Sequence, residues 1–219
     1  MSMYSEIKSQ QKGPDKSGYV VAYIYRRISI YFSMLFITLG FSPNFITLLS
    51  MLSDFFVIYL MYSQHWIWAG ILVNMGLVLD ASDGEVARYL ISKGKKEKGK
   101  RFGGYLDMVI GTIGFTLLIF FAGYFMNELW AGFFAMFGLF MIIVAAVTAK
   151  ADFPDKLEIA KKFQTGLLGK MKGKLGFACG EQRILISLAV LFQSALLLWV
   201  FAGLAAAFFT LKIWVYRNQ

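Results

Sequence analysis

Three aspartates in apolar surroundings carry the clearest chemical signal in this 219-residue sequence. Asp80 and Asp83 are three residues apart, so a helix would place them on one face, and Asp107 lies about a turn into the next apolar stretch. An ionised carboxylate at membrane depth costs roughly 2.5 to 3.5 kcal/mol, so three together require a counter-charge. Arg88 can neutralise only one of them. A divalent cation such as Mg²⁺, Mn²⁺ or Ca²⁺ answers the requirement better, because the nearby ligands are oxygens and include no histidine or thiolate.

The composition predicts that lipid surrounds much of this chain. Hydrophobic residues make up 58% of it and charged residues 16%, too few charges to cover the surface of a water-soluble globule. The single cysteine excludes an intrachain disulfide, and the single histidine excludes a His/Cys zinc cluster. The chemistry of the aspartates therefore has to be arranged by helices in a membrane.

Six apolar segments are candidates for crossing a bilayer, which takes about 20 residues per helix. Short polar breaks at residues 63–65, 127–128 and 193–194 divide them into three helical hairpins. The expected spans are residues 44–62, 66–80, 102–126, 129–149 and the two halves of 184–216. The sequence thus predicts an all-α integral membrane protein with six transmembrane helices, formed by residues 43–219.

The basic residues support this count independently. All 22 Lys and Arg residues lie before residue 28, at 88–101, at 150–183 or after residue 211, and none lies in the three polar breaks. Because cytoplasmic loops collect Lys and Arg, both termini and the loops 82–102 and 150–183 are expected on the cytoplasmic side of a multi-pass protein of the cell membrane. The same distribution favours membrane lipids over nucleic acid as the partner of the net charge of +9.

The N-terminal region, residues 1–42, contains an apolar stretch at 28–41 that is too short to span. It follows Arg26 and Arg27, so we expect an amphipathic helix lying in the inner interface with its arginines near lipid phosphates. Pro43 then begins the first crossing helix with its fixed φ. A cleaved signal peptide is the alternative, but the polar lead is long and no small-residue cleavage site follows.

The aspartates are part of a longer pattern. The stretch DASDGEVAR at residues 80–88, followed by GGYLD at 103–107, resembles the signature D-x2-D-G-x2-A-R and G-x3-D-x3-D of the CDP-alcohol phosphotransferases, also called the CDP-alcohol phosphatidyltransferase family. All five fixed residues of the first block match at the right spacing. The basic lead-in, the SPNFIT stretch at 42–47 and the six-helix layout are also similar to that family, whereas residues beyond 149 match only in hydropathy.

The resemblance implies a reaction and a set of site residues. The hydroxyl of an acceptor alcohol would attack a CDP-alcohol donor and displace CMP, in a membrane enzyme that is expected to be a homodimer. Asp80, Asp83 and Asp107 would hold Mg²⁺ or Mn²⁺ against the donor's pyrophosphate, with Asp83 and Asp107 as the catalytic pair. The residues implied in binding the CDP part are Gly84, Ala87 and Arg88, with Pro43, Asn44 and Thr47 at the border of the pocket.

Two features depart from the family's pattern. Gly111 stands where a fourth aspartate, the general base and second-metal ligand of the family, is expected, and the spacer between Arg88 and Gly103 is lengthened to 14 residues. A one-metal enzyme could use Asp107 or a substrate phosphate as proton acceptor, since general-base help is typically worth about 10²- to 10⁴-fold. Alternatively, water or substrate completes a second metal site, or the protein is a catalytically impaired homologue that only binds CDP-alcohol or lipid headgroups.

A small membrane transporter is the rival class. Transporters also carry intramembrane acids, but near the midplane and often with internal repeats. Here the acids cluster towards the cytoplasmic edge and no repeat is evident. The sequence therefore favours the phosphotransferase.

Three other features have two interpretations each. Asp54 in the first span is either a functional acid or a hydrogen-bond partner of Ser50 or of a neighbouring helix. Arg183 either flanks a span as a topological arginine or contacts an acceptor phosphate. The basic run at 93–101 is either a solvated loop near anionic lipid or a part of acceptor recognition.

Overall fold

The computed structural model describes residues 2–11, 20–94, 100–152 and 179–217, and within these the side chains other than those at 100–108, 110, 145–152, 212 and 214–217. The described part is all-helical and has no strand, as predicted. In chain order its helices are α1 (Met3–Ser9), α2 (Arg26–Thr38, preceded by a π-helical turn Val21–Tyr25), α3 (Pro43–Tyr62), α4 (Trp66–Leu72), α5 (Met75–Ser92), α6 (Lys100–Phe125), α7 (Leu129–Asp152), α8 (Cys179–Leu191) and α9 (Ala195–Arg217).

The three polar breaks are turns of one kind. Gln64, Asn127 and Gln193 have positive φ angles of 63°, 58° and 50°. In each turn the next residue's N–H donates to a carbonyl five residues back, as from His65 to Leu60 at 2.8 Å. This is the Schellman arrangement that ends a helix and satisfies its last carbonyls. The predicted turns between α3 and α4, α6 and α7, and α8 and α9 are confirmed, and the members of each pair pack together.

Helix α3 begins where the sequence predicts. Ser42 is extended and its Oγ accepts the N–H of Phe45 at 3.3 Å, while Pro43 occupies the first helical turn. Within the described residues, α3 is the one helix that is both long and apolar enough to cross a membrane. Shorter apolar helical stretches are Gly111–Phe125, Leu129–Val144 and Ala195–Leu211. The count of six spans stays a prediction.

The second predicted span, residues 66–80, differs from the expected single helix. Val73 and Asn74 separate α4 from α5, although neither glycine nor proline stands at the break. Helix α5 then continues to Ser92, so the first part of the predicted loop 82–102 is helical. As a result, the whole block of residues 80–88 lies within one helix.

In the described residues the N-terminal helical segment already includes Val21–Tyr25, which precedes the predicted 28–41. Its inward face is buried against α5, and its outward face exposes Tyr23, Ile24, Ile28, Tyr31 and Leu35. Arg27 is exposed, but Arg26 is only 6% exposed. The expectation that both arginines lie near lipid phosphates is therefore wrong for Arg26, whose side chain turns towards α5.

Small residues allow the apolar helices to approach closely. A Cβ added to Gly123 of α6 would lie 2.5 Å from the Cα of Gly132 in α7, and one on Gly138 would lie 2.7 Å from the Cβ of Ala205 in α9. Such contacts are typical of helix association in lipid. The core of this bundle contains Val57, Met61, Leu118, Ile119, Ile186, Leu198 and Phe201 among its buried residues. The bundle supports α5 from one side while α2 covers another.

Candidate active site

Helix α5 presents polar residues on two faces. Asp80, Gly84 and Arg88 are each four residues apart and form one row, with Asp83 beside it. Ser82 and Glu85 lie on another face and are buried against α2. One helix therefore carries both the residues of the motif and the contacts that hold it.

Asp83 is hydrogen-bonded to the start of α3. Its Oδ2 accepts the Thr47 hydroxyl at 2.6 Å, and the carboxylate is only 6% exposed. The Thr47 hydroxyl also lies 3.2 Å from the carbonyl of Pro43, whereas Asn44 is exposed. Of the three residues expected at the border of the nucleotide pocket, the structure thus brings Thr47 into direct contact with an aspartate of the motif.

Asp80 faces helix α6. A Cβ added to Gly111 would lie 3.8 Å from its Oδ1, which is an ordinary contact distance. Position 107 precedes position 111 by about one turn of the same helix. The side chain of Asp107, like Gly103, lies outside the part described in full. Among the side chains that are described, no group of three His, Cys, Asp or Glu residues forms a metal cluster.

Arg88 folds back over the helix that carries it. Its Nη1 lies 3.2 Å from the place that a Cβ on Gly84 would take, so the glycine leaves room for the guanidinium. The Nε and Nη2 of Arg88 are enclosed and meet no acceptor in the described structure. Ala87, the neighbouring motif residue, is partly exposed. Unused guanidinium donors of this kind suit a phosphate group.

The sequence pattern does not single out Glu85, but its carboxylate is held from several sides. Oε1 accepts from Gln11 Nε2 at 2.7 Å and from Ser29 Oγ at 2.8 Å, and Oε2 accepts from Ser33 Oγ at 2.7 Å. The Nη1 of Arg26 is 3.8 Å away. Burial lowers the pKa of Arg26, and Glu85 opposes that shift. The one feature of the sequence that could have indicated this contact is the pair Ser29 and Ser33, which lie one turn apart on the inward face of α2.

Asp54 and Arg183 form a buried ion pair. The Nη1 and Nη2 of Arg183 donate to Oδ1 and Oδ2 of Asp54 at 2.7 and 3.0 Å. The guanidinium also stacks over the ring of Phe115, with 4.4 Å to the centroid. Gly76 lies so close that a Cβ there would be 2.6 Å from both charged groups. Asp54 thus has a partner on a neighbouring helix, and the contact of Arg183 with an acceptor phosphate is not supported.

Side chains of α8 also satisfy the break between α4 and α5. Arg183 Nη1 donates to the carbonyl of Val73 at 2.8 Å, and Ser187 Oγ donates to that of Gly70 at 2.6 Å. Asn74 donates to Ser187 at 3.0 Å and accepts the hydroxyl hydrogen of Tyr25. Non-helical backbone at membrane depth needs such partners. The start of α5, and with it the position of Asp80, is therefore fixed by polar contacts.

Removing either member of the Asp54–Arg183 pair is expected to destabilise the fold by about 3 to 5 kcal/mol, because an uncompensated charge stays buried. The double variant Asp54→Ala/Arg183→Ala should lose much less than the sum of the single variants. Unfolding of the detergent-solubilised protein, followed through its helical circular dichroism, measures this. The partly exposed pair Glu6–Lys93, 2.8 Å apart, is the control and should give a coupling of at most about 1 kcal/mol. Additive losses at Asp54 and Arg183 would contradict the pairing.

Comparison with known proteins places this arrangement in a family. The sequence profile of the CDP-alcohol phosphatidyltransferases matches residues 41–216, most of the chain. The chain belongs to the CDP-alcohol phosphatidyltransferase family, whose members are transferases integral to membranes. The family expected from residues 80–88 and 103–107 is thereby confirmed.

Two curated relatives are archaeal. Over 83 residues, 38% of this chain, the sequence is 37% identical to an archaetidylinositol phosphate synthase of Pyrococcus horikoshii. Over 192 residues, 84% of this chain, it is 29% identical to a bifunctional IPC transferase and DIPP synthase of Archaeoglobus fulgidus. The matches cover 41% and 34% of those proteins, so the chain spans less than half the length of either relative.

Proposed function

We propose that this chain transfers a phosphate-linked alcohol group from a CDP-alcohol to an acceptor alcohol and releases CMP, in the synthesis of a phospholipid or a related polyol phosphate. Membership of the family supports this reaction class. The observation that carries it is the junction of α3, α5 and α6, where Thr47 holds Asp83 and position 111 lies against Asp80. The contact at position 111 puts Asp80 beside the helix that contains Asp107, and Asp83 lies three residues further along α5.

The residues at this junction suit a divalent cation, Mg²⁺ or Mn²⁺. Asp80 and Asp83 offer carboxylate oxygens from one helix, and position 107 lies one turn from Gly111, which itself approaches Asp80. Hard cations prefer such oxygen ligands. Asp80, Asp83 and Asp107 would hold the ion, which would offset the charge that develops on the phosphoryl oxygens during displacement.

The chain's own side chains have separate tasks in this proposal. Thr47 orients the carboxylate of Asp83 through its hydrogen bond. Arg88, lying over Gly84, directs its unused N–H groups to a phosphate of the donor. Asp107 or a substrate phosphate accepts the proton of the attacking hydroxyl, since Gly111 has no side chain to do so. Arg88 would thus hold the donor in place, and the proton acceptor beside the attacking hydroxyl would make that hydroxyl a better nucleophile.

The substrates are proposed by class. The donor alcohol is a diacylglycerol, an ether lipid or a soluble polyol. The acceptor is inositol phosphate, glycerol phosphate or serine. Since one relative is named an archaetidylinositol phosphate synthase, inositol phosphate is the first acceptor to test. An interfacial site can take a lipid tail from the bilayer and a nucleotide from the cytosol.

The proposed setting is a homodimer in the cell membrane with six spans per chain and both termini in the cytoplasm. The absence of Lys and Arg from the hairpin turns at Gln64, Asn127 and Gln193 supports the proposed topology. A membrane-impermeant thiol reagent should label single cysteines at these turns from outside the cell and should not label one at Ser92. Chemical cross-linking in native membranes tests the dimer.

Asp83→Asn is expected to reduce CMP release by about 10²-fold or more, because a metal ligand in the proposed site would be weakened. The assay supplies membranes with radiolabelled CDP-alcohols and Mg²⁺ and measures CMP. Ser92→Ala, at the exposed end of the same helix, is the matched control and should keep wild-type activity.

The same preparation separates the alternatives. A cytidine nucleotide with Mg²⁺ should raise the unfolding temperature of the wild-type protein. A rise without CMP release from any donor would indicate an impaired homologue that only binds. Neither a rise nor release would exclude the phosphotransferase and favour a transporter.

Gly111→Asp is expected to increase CMP release, by up to about 10²-fold, because it places a carboxylate beside Asp80 where the proposed site lacks a general base. The structure leaves room for its Cβ at 3.8 Å from Asp80 Oδ1. Ser92→Asp, at the exposed end of α5, controls for adding a charge. An unchanged or reduced rate for Gly111→Asp would mean that the missing carboxylate does not limit turnover.

A further inference from the structure

We infer that Glu85 is a positioning residue: it fastens one face of α5 to α2 and so sets the rotation at which Asp80, Asp83 and Arg88 face α3 and α6. Its catalytic consequence rests on the proposed function. The geometric claim does not, because the rotation of α5 can be measured without substrate.

The first support is the completeness of the contacts around Glu85. The carboxylate is 1% exposed and accepts three hydrogen bonds from neutral donors, namely the Ser29 and Ser33 hydroxyls and the Gln11 amide. Two serines one turn apart on α2 hold opposite oxygens of the same carboxylate. Hydrogen bonds to both oxygens fix the direction of the Glu85 side chain as well as its distance from α2.

A second contact lies one turn earlier on the same face. The hydroxyl of Ser82 is 3.2 Å from the carbonyl of Ser29 and 2.8 Å from that of Val78, and the hydroxyl of Ser33 is 3.5 Å from the carbonyl of Ser82. Further along the seam, Leu77 and Val78 pack against the π-helical turn of the N-terminal segment. The polar contacts therefore prevent sliding and rotation along a seam that is otherwise apolar.

Glu85 lies on the opposite side of α5 from Asp83, so its contacts affect the direction in which Asp83 points. Side chains two residues apart on an α-helix are separated by about 160° around its axis, so Glu85 and Asp83 project in nearly opposite directions. Asp83 is held by Thr47 on its side, and Glu85 is held by α2 on the other. Releasing Glu85 would remove the two short hydrogen bonds to α2, at 2.8 and 2.7 Å, and would leave the longer contacts of Ser82, at 3.2 and 3.5 Å, on that side of α5.

The N-terminal segment closes over this seam. The Gln11 amide donates both to Glu85 and to the carbonyl of Arg26 at 2.9 Å, so it bridges the two helices. The carboxylate of Glu6 in α1 pairs with Lys93 at the end of α5, 2.8 Å away, and this hydrogen bond raises the pKa of Lys93. The cytoplasmic segment is thereby joined to the helix that carries the motif.

A thiol pair at positions 80 and 111 reports the rotation of α5 directly. Asp80→Cys and Gly111→Cys are introduced together with Cys179→Ser, and the rate of intrachain bridging by a short bifunctional thiol reagent is measured by mass spectrometry. The approach of Asp80 to position 111 puts the two thiols within reach of each other. Glu85→Ala and Glu85→Gln are then compared in this background.

We expect Glu85→Ala to slow bridging several-fold, and Glu85→Gln to have a smaller effect because an amide keeps hydrogen bonds to the serines. Ser92→Ala and Thr38→Ala, exposed on the same two helices, are the controls and should not change the rate. In the native site, Glu85→Ala should lower kcat by about 10- to 10²-fold with a smaller change in KM, since a misplacement of about 1 Å has effects of this size.

Bridging at the wild-type rate in both Glu85 variants would overturn the inference. Should Glu85→Ala fail to fold, Glu85→Gln and the Ser29→Ala/Ser33→Ala pair answer the same question. A wild-type protein that releases no CMP would refute the proposed function alone, because the bridging rates would still decide whether Glu85 sets the rotation of α5. Slower bridging with unchanged kcat and KM would support the geometric claim and refute its catalytic consequence, because the rotation of α5 would then not affect the reaction.

Discussion

A carboxylate enclosed by apolar helices must be given a counter-charge or hydrogen-bond donors, and this constraint accounts for much of the molecule. Asp54 meets it with a bidentate arginine, Glu85 with two serines and an amide, and Asp83 with a threonine. In each case the partners come from outside the helix that carries the acid. The acids therefore act as fixed points between elements whose apolar surfaces alone would allow sliding. Asp80 and Asp83 place carboxylate oxygens close together on α5, and such oxygens are the ligands that a hard divalent cation prefers.

Helix α5 is held near both of its ends by such contacts. At the break before it, Arg183 and Ser187 of α8 satisfy carbonyls that an unbroken helix would have used internally. Towards its other end, Glu85 joins it to α2 and Lys93 joins it to α1. The motif residues lie between these two anchoring regions. A site built on a helix whose position and rotation are both fixed can orient a phosphate and an attacking hydroxyl with little reorganisation.

Local signals in the sequence were enough to predict the parts that depend on neighbours along the chain. Polar breaks in apolar runs located the hairpin turns, Ser42 and Pro43 located the start of α3, and the DASDGEVAR stretch indicated the family. The break at Val73 and Asn74 could not be predicted, because it depends on Arg183, 110 residues further along. The pairing of Asp54 with Arg183 could not be predicted for the same reason, because 129 residues separate the two in the sequence. Contacts of this range follow from how the helices pack, which periodicity does not specify.

We propose that Asp80, Asp83 and Asp107 bind a divalent cation together, and the proposed reaction depends on this binding. Electron paramagnetic resonance of Mn²⁺ added to the purified protein with a cytidine nucleotide measures this binding directly. The wild-type protein should bind Mn²⁺ saturably, and this binding should be largely lost in Asp83→Asn and in Asp107→Asn, with the helical content unchanged. Equal Mn²⁺ binding by the wild-type protein and both variants, or none by any of them, would contradict it.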